Sequence, residues 1–281
     1  MKLIADSGST KTNWCLVENS KVRTYFDTEG YNPYCVNRQY IINSIYQSFP
    51  ESIIYKEVRE VNFYGAGCSA SRIPIIEDVL KSIFKNASLS IESDLLAAAR
   101  SLLGREPGFA AILGTGSNSC IYNGKFITNH IDSLGYILGD EGSGFAIGKK
   151  ILIDYIRGNM DANLKHLFCN SYHLDPDEIL DCIYTKPLTN RYCADFSKFL
   201  THPDIDDDYA YNIVSTVFND FFKNLVSNYP DYKKYTFNSV GSVGYKFKSI
   251  LMEVALSHHM KPGRIISSVI EDLVNYHTND N

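Results

Sequence analysis

Residues 3–14 read LIADSGSTKTNW, an apolar run that breaks into a short polar turn and then resumes. The apolar residues on both sides of the break predict two β-strands. Asp, Ser and Gly favour turns for conformational reasons, so the break is typical of an ordinary hairpin turn. Small residues also let backbone N–H groups crowd around an anion, which suits the same turn to phosphate. Both interpretations stay open at this point.

A P-loop is excluded by the spacing around Lys11 and Thr12. The motif GxxxxGK(S/T) requires a Gly directly before the Lys and a helix after the motif. Here Thr10 precedes Lys11, and the following residues have the pattern of a strand. Any phosphate at this turn would be bound by a strand-turn-strand unit instead.

Composition and charge place the chain among ordinary globular proteins. Its 281 residues are 44% hydrophobic and 21% charged, and this length favours two lobes over a single core. The net charge of −5 gives no electrostatic footprint for nucleic acid or an anionic membrane. We therefore expect neither nucleic acid nor a membrane as a partner.

The distribution of apolar residues and cysteines predicts a cytoplasmic protein. No stretch approaches the ~20 apolar residues needed to span a bilayer, and the N-terminus turns polar too early for a signal peptide. The seven cysteines include no CxxC motif. They fit free thiols in a reducing compartment better than a disulfide framework or a zinc site.

A second stretch, residues 108–131, repeats the pattern of residues 2–26: strand, small-residue turn, strand, Asn-containing turn, strand. Between the two hairpins the periodicity completes the order β-β-β-α-β-α-β-α, and after the second hairpin it becomes mainly helical. The Gly and Pro content of residues 104–108 predicts the linker. The two hairpins indicate either a duplicated lobe or a coincidence between two common motifs.

Two further stretches partly match known binding motifs, a dinucleotide fingerprint and an EF-hand loop, and each match is incomplete. Residues 65–70, GAGCSA, match a dinucleotide fingerprint, but that fingerprint normally opens the first βαβ unit of a domain. The acidic run 204–208 is spaced like an EF-hand loop, yet Tyr209 and Ser215 stand where that loop needs Gly and Glu. We expect an exposed acidic loop there and no dinucleotide site at residues 65–70.

Glycines 139, 142 and 144 flank Asp140 and Glu141 before a predicted helix. Asp140 or Ser143 would serve as the helix cap, but three glycines exceed what capping needs. They suggest a backbone that approaches a ligand closely, which makes Asp140 a candidate acceptor for sugar hydroxyls.

Six motifs taken together resemble a known family. In chain order they are DSGSTKT (6–12), ESDLLAAA (92–99), ILGTGSNS (112–119), LGDEGSG (138–144), SVGSVG (239–244) and ISSVIEDLVNYH (266–277). This series resembles the N-acetylglucosamine kinase and BadF/BadG/BcrA/BcrD ATPase group of the actin, hexokinase and Hsp70 superfamily, and it spans essentially the whole chain.

The resemblance implies an α/β protein with a two-lobed, ribonuclease H-like (actin-like ATPase) fold, built from duplicated β-β-β-α-β-α-β-α lobes with ATP in the cleft between them. The expected lobes are residues 1–103 and residues 104–266, the second with a mainly helical insertion. The C-terminal helix, residues 267–281, is expected to pack back on the first lobe.

The resemblance also assigns roles to single residues. It implies that ATP is held by a first phosphate loop, a second phosphate loop and an adenosine-side loop. Those loops are Gly8, Ser9, Thr10, Lys11 and Thr12; Gly114, Thr115, Gly116, Ser117 and Asn118; and Gly241, Ser242 and Val243. Asp6 would bind Mg²⁺, directly or through water. Asn32, Asp94 and Asp140 would contact the sugar, with Asp94 as the general base; the alternative is that Asp94 caps the helix over 95–103.

The implied activity is ATP-dependent phosphorylation of an amino sugar, with N-acetylglucosamine as the first candidate. An ATPase activator of a 2-hydroxyacyl-CoA dehydratase or benzoyl-CoA reductase, and a nucleotide-dependent sugar sensor, are the alternatives. Such activators hold an iron-sulfur cluster through cysteines, and the cysteine context expected near Cys120 is missing. A homodimer is compatible with the resemblance.

Two positions depart from the family pattern. Leu134 stands where some N-acetylglucosamine kinases have a tryptophan near the sugar, which bears on the choice of amino sugar. The first loop reads Ser7-Gly8-Ser9 where three glycines are common, and the φ angle of Ser is more restricted than that of Gly.

Overall fold

The computed structural model describes residues 1–278 and divides into two compact units. The N-terminal unit comprises Met1–Gly108, Tyr122–Thr128 and residues 268–278, and the C-terminal unit comprises Phe109–Ile121 and Asn129–Ser267. A five-stranded sheet with helices is the basis of each.

The N-terminal unit opens with a three-stranded antiparallel meander and continues with alternating helices and strands. Its elements are β1 (Lys2–Ser7), β2 (Lys11–Glu18), β3 (Lys21–Glu29), α1 (Arg38–Ser48), β4 (Glu60–Gly65), α2 (Ile73–Ile83), β5 (Ser88–Ser93) and α3 (Asp94–Leu103). The sheet order is β3-β2-β1-β4-β5, with β4 parallel to both β1 and β5. Ser7, Gly65 and Ser93 are aligned in register, so the carboxyl ends of three strands meet at one edge.

The C-terminal sheet repeats this arrangement. Its strands are β6 (Pro107–Leu113), β7 (Ser117–Asn123), β8 (Ile127–His130), β9 (Thr236–Val240) and β10 (Lys261–Ile266). Read from β8, the order β8-β7-β6-β9-β10 matches β3-β2-β1-β4-β5, and β9 is parallel to β6 and β10. The fold class is confirmed, and the repeated strand order favours duplication over coincidence between two hairpins.

The rest of the described chain is mainly helical, with six α-helices between β8 and β9. The elements are α4 (Gly135–Leu138), α5 (Gly144–Arg157), α6 (Ala162–Tyr172), α7 (Pro176–Thr185), α8 (Thr189–Asp195), α9 (Asp207–Asn224), α10 (Ser242–Lys246), α11 (Lys248–Ser257) and α12 (Ile270–Thr278). The largest buried side chains of α9 are Phe218, Phe221 and Phe222, which belong to the same core as Phe109 and Phe237 of the sheet.

Several sequence expectations for the C-terminal unit need correction. The sequence pattern missed α6, because only Leu164 and Phe168 are buried on that helix and the apolar period is weak. It also missed β10, a mostly exposed edge strand that contains Pro262 and Gly263. Asp206 caps α9 by accepting a 2.7 Å hydrogen bond from the Tyr209 N–H, so the acidic run belongs to a helix start.

Two absences were also expected from the sequence. Throughout residues 1–278, no helix combines the length and the apolar character that a membrane span requires. None of the seven cysteines, all of which lie within the described residues, forms a disulfide.

The core of the N-terminal unit is organised around Trp14 on β2. Its indole is fully buried and packs against the rings of Phe26, Phe49 and Phe63, at centroid distances of 4.9–6.1 Å. The indole N–H donates a 3.0 Å hydrogen bond to the Thr28 hydroxyl on β3. This bond satisfies the one polar group that the indole brings into the core.

We expect Thr28→Val to destabilise the protein by about 1–3 kcal/mol, because it leaves the buried indole N–H without an acceptor. Urea denaturation followed by Trp14 fluorescence measures the effect. Thr24→Val, the same change at a more exposed position of β3, is the matched control and should cost less. Equal losses in the two variants would contradict the role of this hydrogen bond.

Candidate functional site

The predicted residues of the N-terminal unit lie at the carboxyl ends of its parallel strands. The first loop follows β1, residues 65–70 follow the end of β4, and Asp94 follows β5. Loops at the carboxyl ends of parallel strands share one edge of the sheet, which is where α/β proteins bind ligands. The register of β1, β4 and β5 therefore brings Asp6, the first loop and Asp94 to the same edge.

The first loop is a tight turn closed by the Gly8 N–H, which donates to the Lys11 carbonyl at 2.9 Å. The Thr12 hydroxyl is fully buried, donates to the Glu29 carbonyl at 2.8 Å and lies 2.7 Å from the Ser7 hydroxyl. Thr12 thus fixes the hairpin from within. Lys11 forms an exposed 2.9 Å ion pair with Asp27, and since exposed pairs contribute little, an anion could replace Asp27 at low cost.

Asn32 is bonded directly to the first loop. Its amide N–H donates to the Ser9 hydroxyl at 3.3 Å, and its amide oxygen accepts from the Tyr34 N–H at 3.0 Å. Gly30 makes the close approach possible, because a Cβ there would lie 2.5 Å from the Gly8 carbonyl oxygen. The structure therefore brings the predicted sugar contact and the predicted phosphate loop together.

Residues 65–70 lie at the same sheet edge, but they do not form a dinucleotide-binding fingerprint. The α2 helix begins only at Ile73, whereas that fingerprint leads directly into its helix. The Ala66 N–H instead donates to the Ser7 carbonyl at 2.8 Å. Gly67 has φ +74°, and a Cβ there would lie 2.3 Å from the Asn32 amide oxygen. Sequence reasoning missed this supporting loop, although its two glycines were the available signal.

Asp94 is the first residue of α3 but does not cap it. The Ser93 hydroxyl accepts the hydrogen bond from the Leu96 N–H at 3.2 Å, which makes Ser93 the N-cap. The alternative interpretation of Asp94 as the cap is wrong. A carboxylate in a first helical turn is favoured by the helix dipole, but capping does not explain this residue.

Asp6 and Asp94 interact electrostatically. Desolvation raises the pKa of the Asp6 carboxyl to about 7, the negative charge of Asp94 adds to the rise, and a hydrogen bond with Asn13 opposes it. Burial, with a further contribution from Asp94, also raises the pKa of the Cys68 thiol to about 12. A buried carboxylate whose pKa is raised further by a second carboxylate is an arrangement that a divalent cation relieves.

No group of three or more His, Cys, Asp or Glu side chains suited to a metal ion occurs in residues 1–278. Mg²⁺ at a nucleotide site does not need such a group, because it takes one or two carboxylates and completes its shell with waters and phosphate oxygens. Asp6 fits that donor set.

In the C-terminal unit the second loop is fastened to the start of α5. The Gly114 N–H donates to the Gly116 carbonyl at 2.9 Å. The Gly144 and Phe145 N–H groups donate to the carbonyls of Gly114 and Thr115 at 2.8 and 3.1 Å. The unpaired N–H groups that begin a helix are in this way satisfied by the loop backbone.

Asp140 lies against the second loop. One of its carboxylate oxygens accepts from the Ser117 N–H at 3.1 Å, and only 8% of the residue is exposed. A Cβ on Gly116 would lie 3.0 Å from this carboxylate. Burial raises the pKa of Asp140 to about 6, while the bond from Ser117 opposes the shift. The contact of Asp140 with sugar stays a prediction; its contact with the second loop is structural.

The third predicted loop follows β9 and packs on the end of β6. Gly241 has φ +127°, and a Cβ there would lie 2.4 Å from the Leu113 carbonyl oxygen. Its N–H donates to the Ile266 carbonyl at 3.0 Å. Val243 is buried and Ser242 is exposed at the start of α10. Because β6 and β9 are parallel, the second and third loops share one sheet edge.

A separate cavity of about 390 Å³ lies between α4, α5 and α9. Tyr136, Phe145, Lys149 and Asp220 are among its lining residues. None of the residues predicted from the sequence to bind ATP, Mg²⁺ or sugar lines this cavity.

The chain is similar in structure to several solved proteins. One is described as a "putative N-acetylglucosamine kinase" from Porphyromonas gingivalis; it is 35% identical, with a TM-score of 0.92, and the match covers 100% of this chain and 99% of that one. A "putative N-acetylglucosamine kinase" from Chromobacterium violaceum is 14% identical, with a TM-score of 0.66 and coverage of 98% of each chain.

A third is a ROK family glucokinase from Streptomyces griseus in complex with glucose and AMPPNP; it is 14% identical, with a TM-score of 0.55 and coverage of 98% of each chain. At 14% identity the second and third comparisons show the fold alone. No protein-family model and no curated protein matches the chain.

We expect Gly116→Val to weaken ATP binding by about 10- to 100-fold, because its side chain would displace the Asp140 carboxylate and move the second loop. Sugar binding should weaken as well, since the displaced Asp140 carboxylate is a predicted sugar contact. Calorimetric titration with each ligand measures both. Gly114→Ala is the control for backbone disturbance, since the nearest atom to its Cβ is 4.0 Å away and its melting temperature should match the parent. Unchanged ATP affinity in Gly116→Val would contradict the phosphate-loop assignment.

The raised pKa of Asp6 predicts a pH-dependent destabilisation. Below about pH 4 this group is protonated in both the folded and the unfolded chain; as pH rises through 7, the folded state must ionise it at a cost. Asp6→Asn should therefore melt at a higher temperature than the parent at pH 8, and the difference should vanish near pH 4. Thermal melts across this range measure it. Asp78→Asn, an exposed carboxylate on α2, is the control and should show no such trend.

Proposed function

Because the chain belongs to the N-acetylglucosamine kinase and BadF/BadG/BcrA/BcrD ATPase family of the actin, hexokinase and Hsp70 superfamily, we propose that it is an ATP-dependent sugar kinase. The proposed reaction transfers the γ-phosphoryl group of ATP to a hydroxyl of an amino sugar, with N-acetylglucosamine as the first candidate. The observation that carries the proposal is the juxtaposition of Asp94, Asp6, the first loop and Asn32 at one sheet edge.

Phosphoryl transfer asks a protein mainly for alignment and charge stabilisation. In this proposal the first loop supplies backbone N–H groups and the side chain of Lys11, which exchanges Asp27 for phosphate. The second loop supplies Ser117, whose buried hydroxyl has no hydrogen-bond partner in the described chain. Mg²⁺, when bound, would neutralise phosphate charge, and Asp6 is the carboxylate proposed to hold it.

Asp94 is proposed to remove the proton from the attacking sugar hydroxyl. A positioned general base of this kind contributes about 10²–10⁴ in rate. Ser93 caps α3, so capping does not account for the carboxylate at position 94. Asn32 is proposed to orient the sugar from the neighbouring turn, and its hydrogen bond to Ser9 couples sugar position to the phosphate loop.

The activator alternative finds less support. An iron-sulfur cluster shared between subunits needs cysteine thiolates that reach the protein surface. Cys120, the cysteine next to the second loop in sequence, is fully buried on β7. The kinase proposal is tested directly by measuring ADP release against a panel of amino sugars and muramic acid derivatives.

We expect Asp94→Asn to lower kcat for sugar phosphorylation by about 10²–10⁴-fold. The melting temperature should change little, because Asn keeps the size of Asp and Ser93 retains the cap. ATP affinity should also persist. Coupled ADP-release kinetics and a thermal melt measure the two effects together. Activity within a few-fold of the parent would count against the catalytic role.

Ser93→Ala is the matched control for that variant. It removes the cap of α3 and should cost about 0.5–2 kcal/mol of stability. Its kcat should fall far less than that of Asp94→Asn. The opposite ranking of the two variants, with stability lost at Asp94 and activity lost at Ser93, would reverse the assignment.

A further inference from the structure

An arginine and a tyrosine stand beside Asn32 with no part in the phosphoryl transfer described above. The Arg72 guanidinium carbon lies 4.6 Å from the centre of the Tyr34 ring, and Tyr34 is 61% exposed. The Tyr34 hydroxyl is 3.3 Å from the Ser69 hydroxyl, which is 3.2 Å from that of Ser71. We call these four residues, Tyr34, Ser69, Ser71 and Arg72, the Arg72 cluster.

The Arg72 cluster is connected to the predicted sugar contact. The Tyr34 N–H donates to the Asn32 amide oxygen at 3.0 Å, whereas Ser9 of the first loop accepts from the Asn32 amide nitrogen. Gly67 packs between them, since a Cβ there would lie 3.0 Å from the Tyr34 ring as well as 2.3 Å from the Asn32 amide oxygen. The amide of Asn32 therefore has the phosphate loop on one end and the Arg72 cluster on the other.

The cluster carries an uncompensated positive charge. Lys2 and Lys11, elsewhere in the N-terminal unit, form ion pairs with Glu60 and Asp27. Within residues 1–278, Arg72 forms no ion pair, and its guanidinium rests on an aromatic ring instead. Hydrogen bonds from Ser69 and then Arg72 lower the pKa of the Tyr34 phenol, so the local field favours negative charge.

The hydrogen-bond donors and the positive charge of the Arg72 cluster suit an anionic ligand. A guanidinium presents donors in a planar fork that matches a carboxylate or a phosphate with two parallel hydrogen bonds. Stacking on Tyr34 orders Arg72 before a ligand arrives, which reduces the entropy lost on binding. The hydroxyls of Tyr34, Ser69 and Ser71 add further donors, and the 11-residue helix α2 starts at the next residue with its positive dipole end.

We propose that the Arg72 cluster is a subsite for an anionic substituent of the sugar, and that the preferred substrate is an amino sugar carrying a carboxylate or phosphate group in addition to its hydroxyls. This inference rests on the proposed sugar-kinase function and on Asn32 as a sugar contact. The cluster is assigned to the sugar and not to ATP because the first loop contacts the other end of the Asn32 amide.

The test compares neutral and acidic sugars in calorimetry with the full-length protein. N-acetylglucosamine is the neutral probe, N-acetylmuramic acid adds a lactyl carboxylate to it, and N-acetylglucosamine 1-phosphate adds a phosphate. The parent should bind at least one acidic probe more tightly than the neutral one. Arg72→Gln should weaken that acidic probe by roughly 10- to 100-fold and change the neutral one by no more than about twofold. The probe that responds distinguishes a carboxylate from a phosphate.

Arg38→Gln is the matched control, since Arg38 is an exposed arginine at the start of α1 and its loss changes the net charge equally. It should leave all three affinities unchanged. Tyr34→Phe, which keeps the ring under Arg72, should retain most of the discrimination, and Tyr34→Ala should lose it.

Three results would overturn the subsite: a parent with no preference for either acidic probe, an Arg72→Gln variant that weakens neutral and acidic sugars equally, or one that weakens ATP instead. The kinase proposal fails separately, if the parent releases no ADP with any sugar. The binding comparison does not require turnover, so it decides the subsite in either case.

Discussion

Parallel pairing at the centre of each sheet is the constraint on which every candidate functional residue depends. Because β1, β4 and β5 run in one direction, Ser7, Gly65 and Ser93 end at the same level, and the chain leaves all three strands at one edge. The same holds for β6 and β9 in the C-terminal unit. Residues far apart in sequence meet there without a long loop to position them, since the rigid sheet sets their spacing.

Close backbone packing at these edges requires glycine at particular points. Gly30 lies against the first loop and Gly241 against the end of β6, and a Cβ at either position would come within 2.5 Å of a carbonyl oxygen. The loops are therefore shaped by the segments that press on them as much as by their own sequences. A loop held in this way loses little further freedom when it binds an anion, and such preorganisation strengthens binding.

The sequence predicted the parts of this arrangement that have strong local signals. Both hairpins, the β-β-β-α-β-α-β-α order and the mainly helical character of the chain after the second hairpin were accessible from periodicity. β10 was not, because an exposed edge strand with Pro262 and Gly263 has little apolar alternation. The cap of α3 is Ser93, whereas the sequence offered Asp94 as a cap in the alternative to its catalytic role, because two polar residues in succession fit a helix start equally well.

Contacts between segments distant in the chain could not be predicted from the sequence, for a different reason. Nothing local to residues 65–70 indicates that Gly67 packs on Asn32, and the glycine pattern there resembled a dinucleotide motif instead. Likewise, the hydrogen bond from the Ser117 N–H to Asp140 joins two segments that the sequence identifies only as separate motifs. Such pairs depend on register and packing, which a single sequence does not specify.

Ionisation of two carboxylates at the candidate site costs stability in the folded chain. Asp6 and Asp140 are each partly desolvated at a sheet edge, with pKa values of about 7 and 6, so their ionised forms destabilise the folded chain near neutral pH. A cation beside Asp6 would reverse that effect by favouring the ionised carboxylate. At Arg72 the guanidinium stacks on the Tyr34 ring without an ion-pair partner in residues 1–278, an arrangement suited to an anion. Asn32 joins the first loop to the Arg72 cluster, because its amide nitrogen donates to the Ser9 hydroxyl and its amide oxygen accepts from the Tyr34 N–H. The phosphate loop, the proposed sugar contact and the proposed anion subsite are therefore held in one hydrogen-bonded unit.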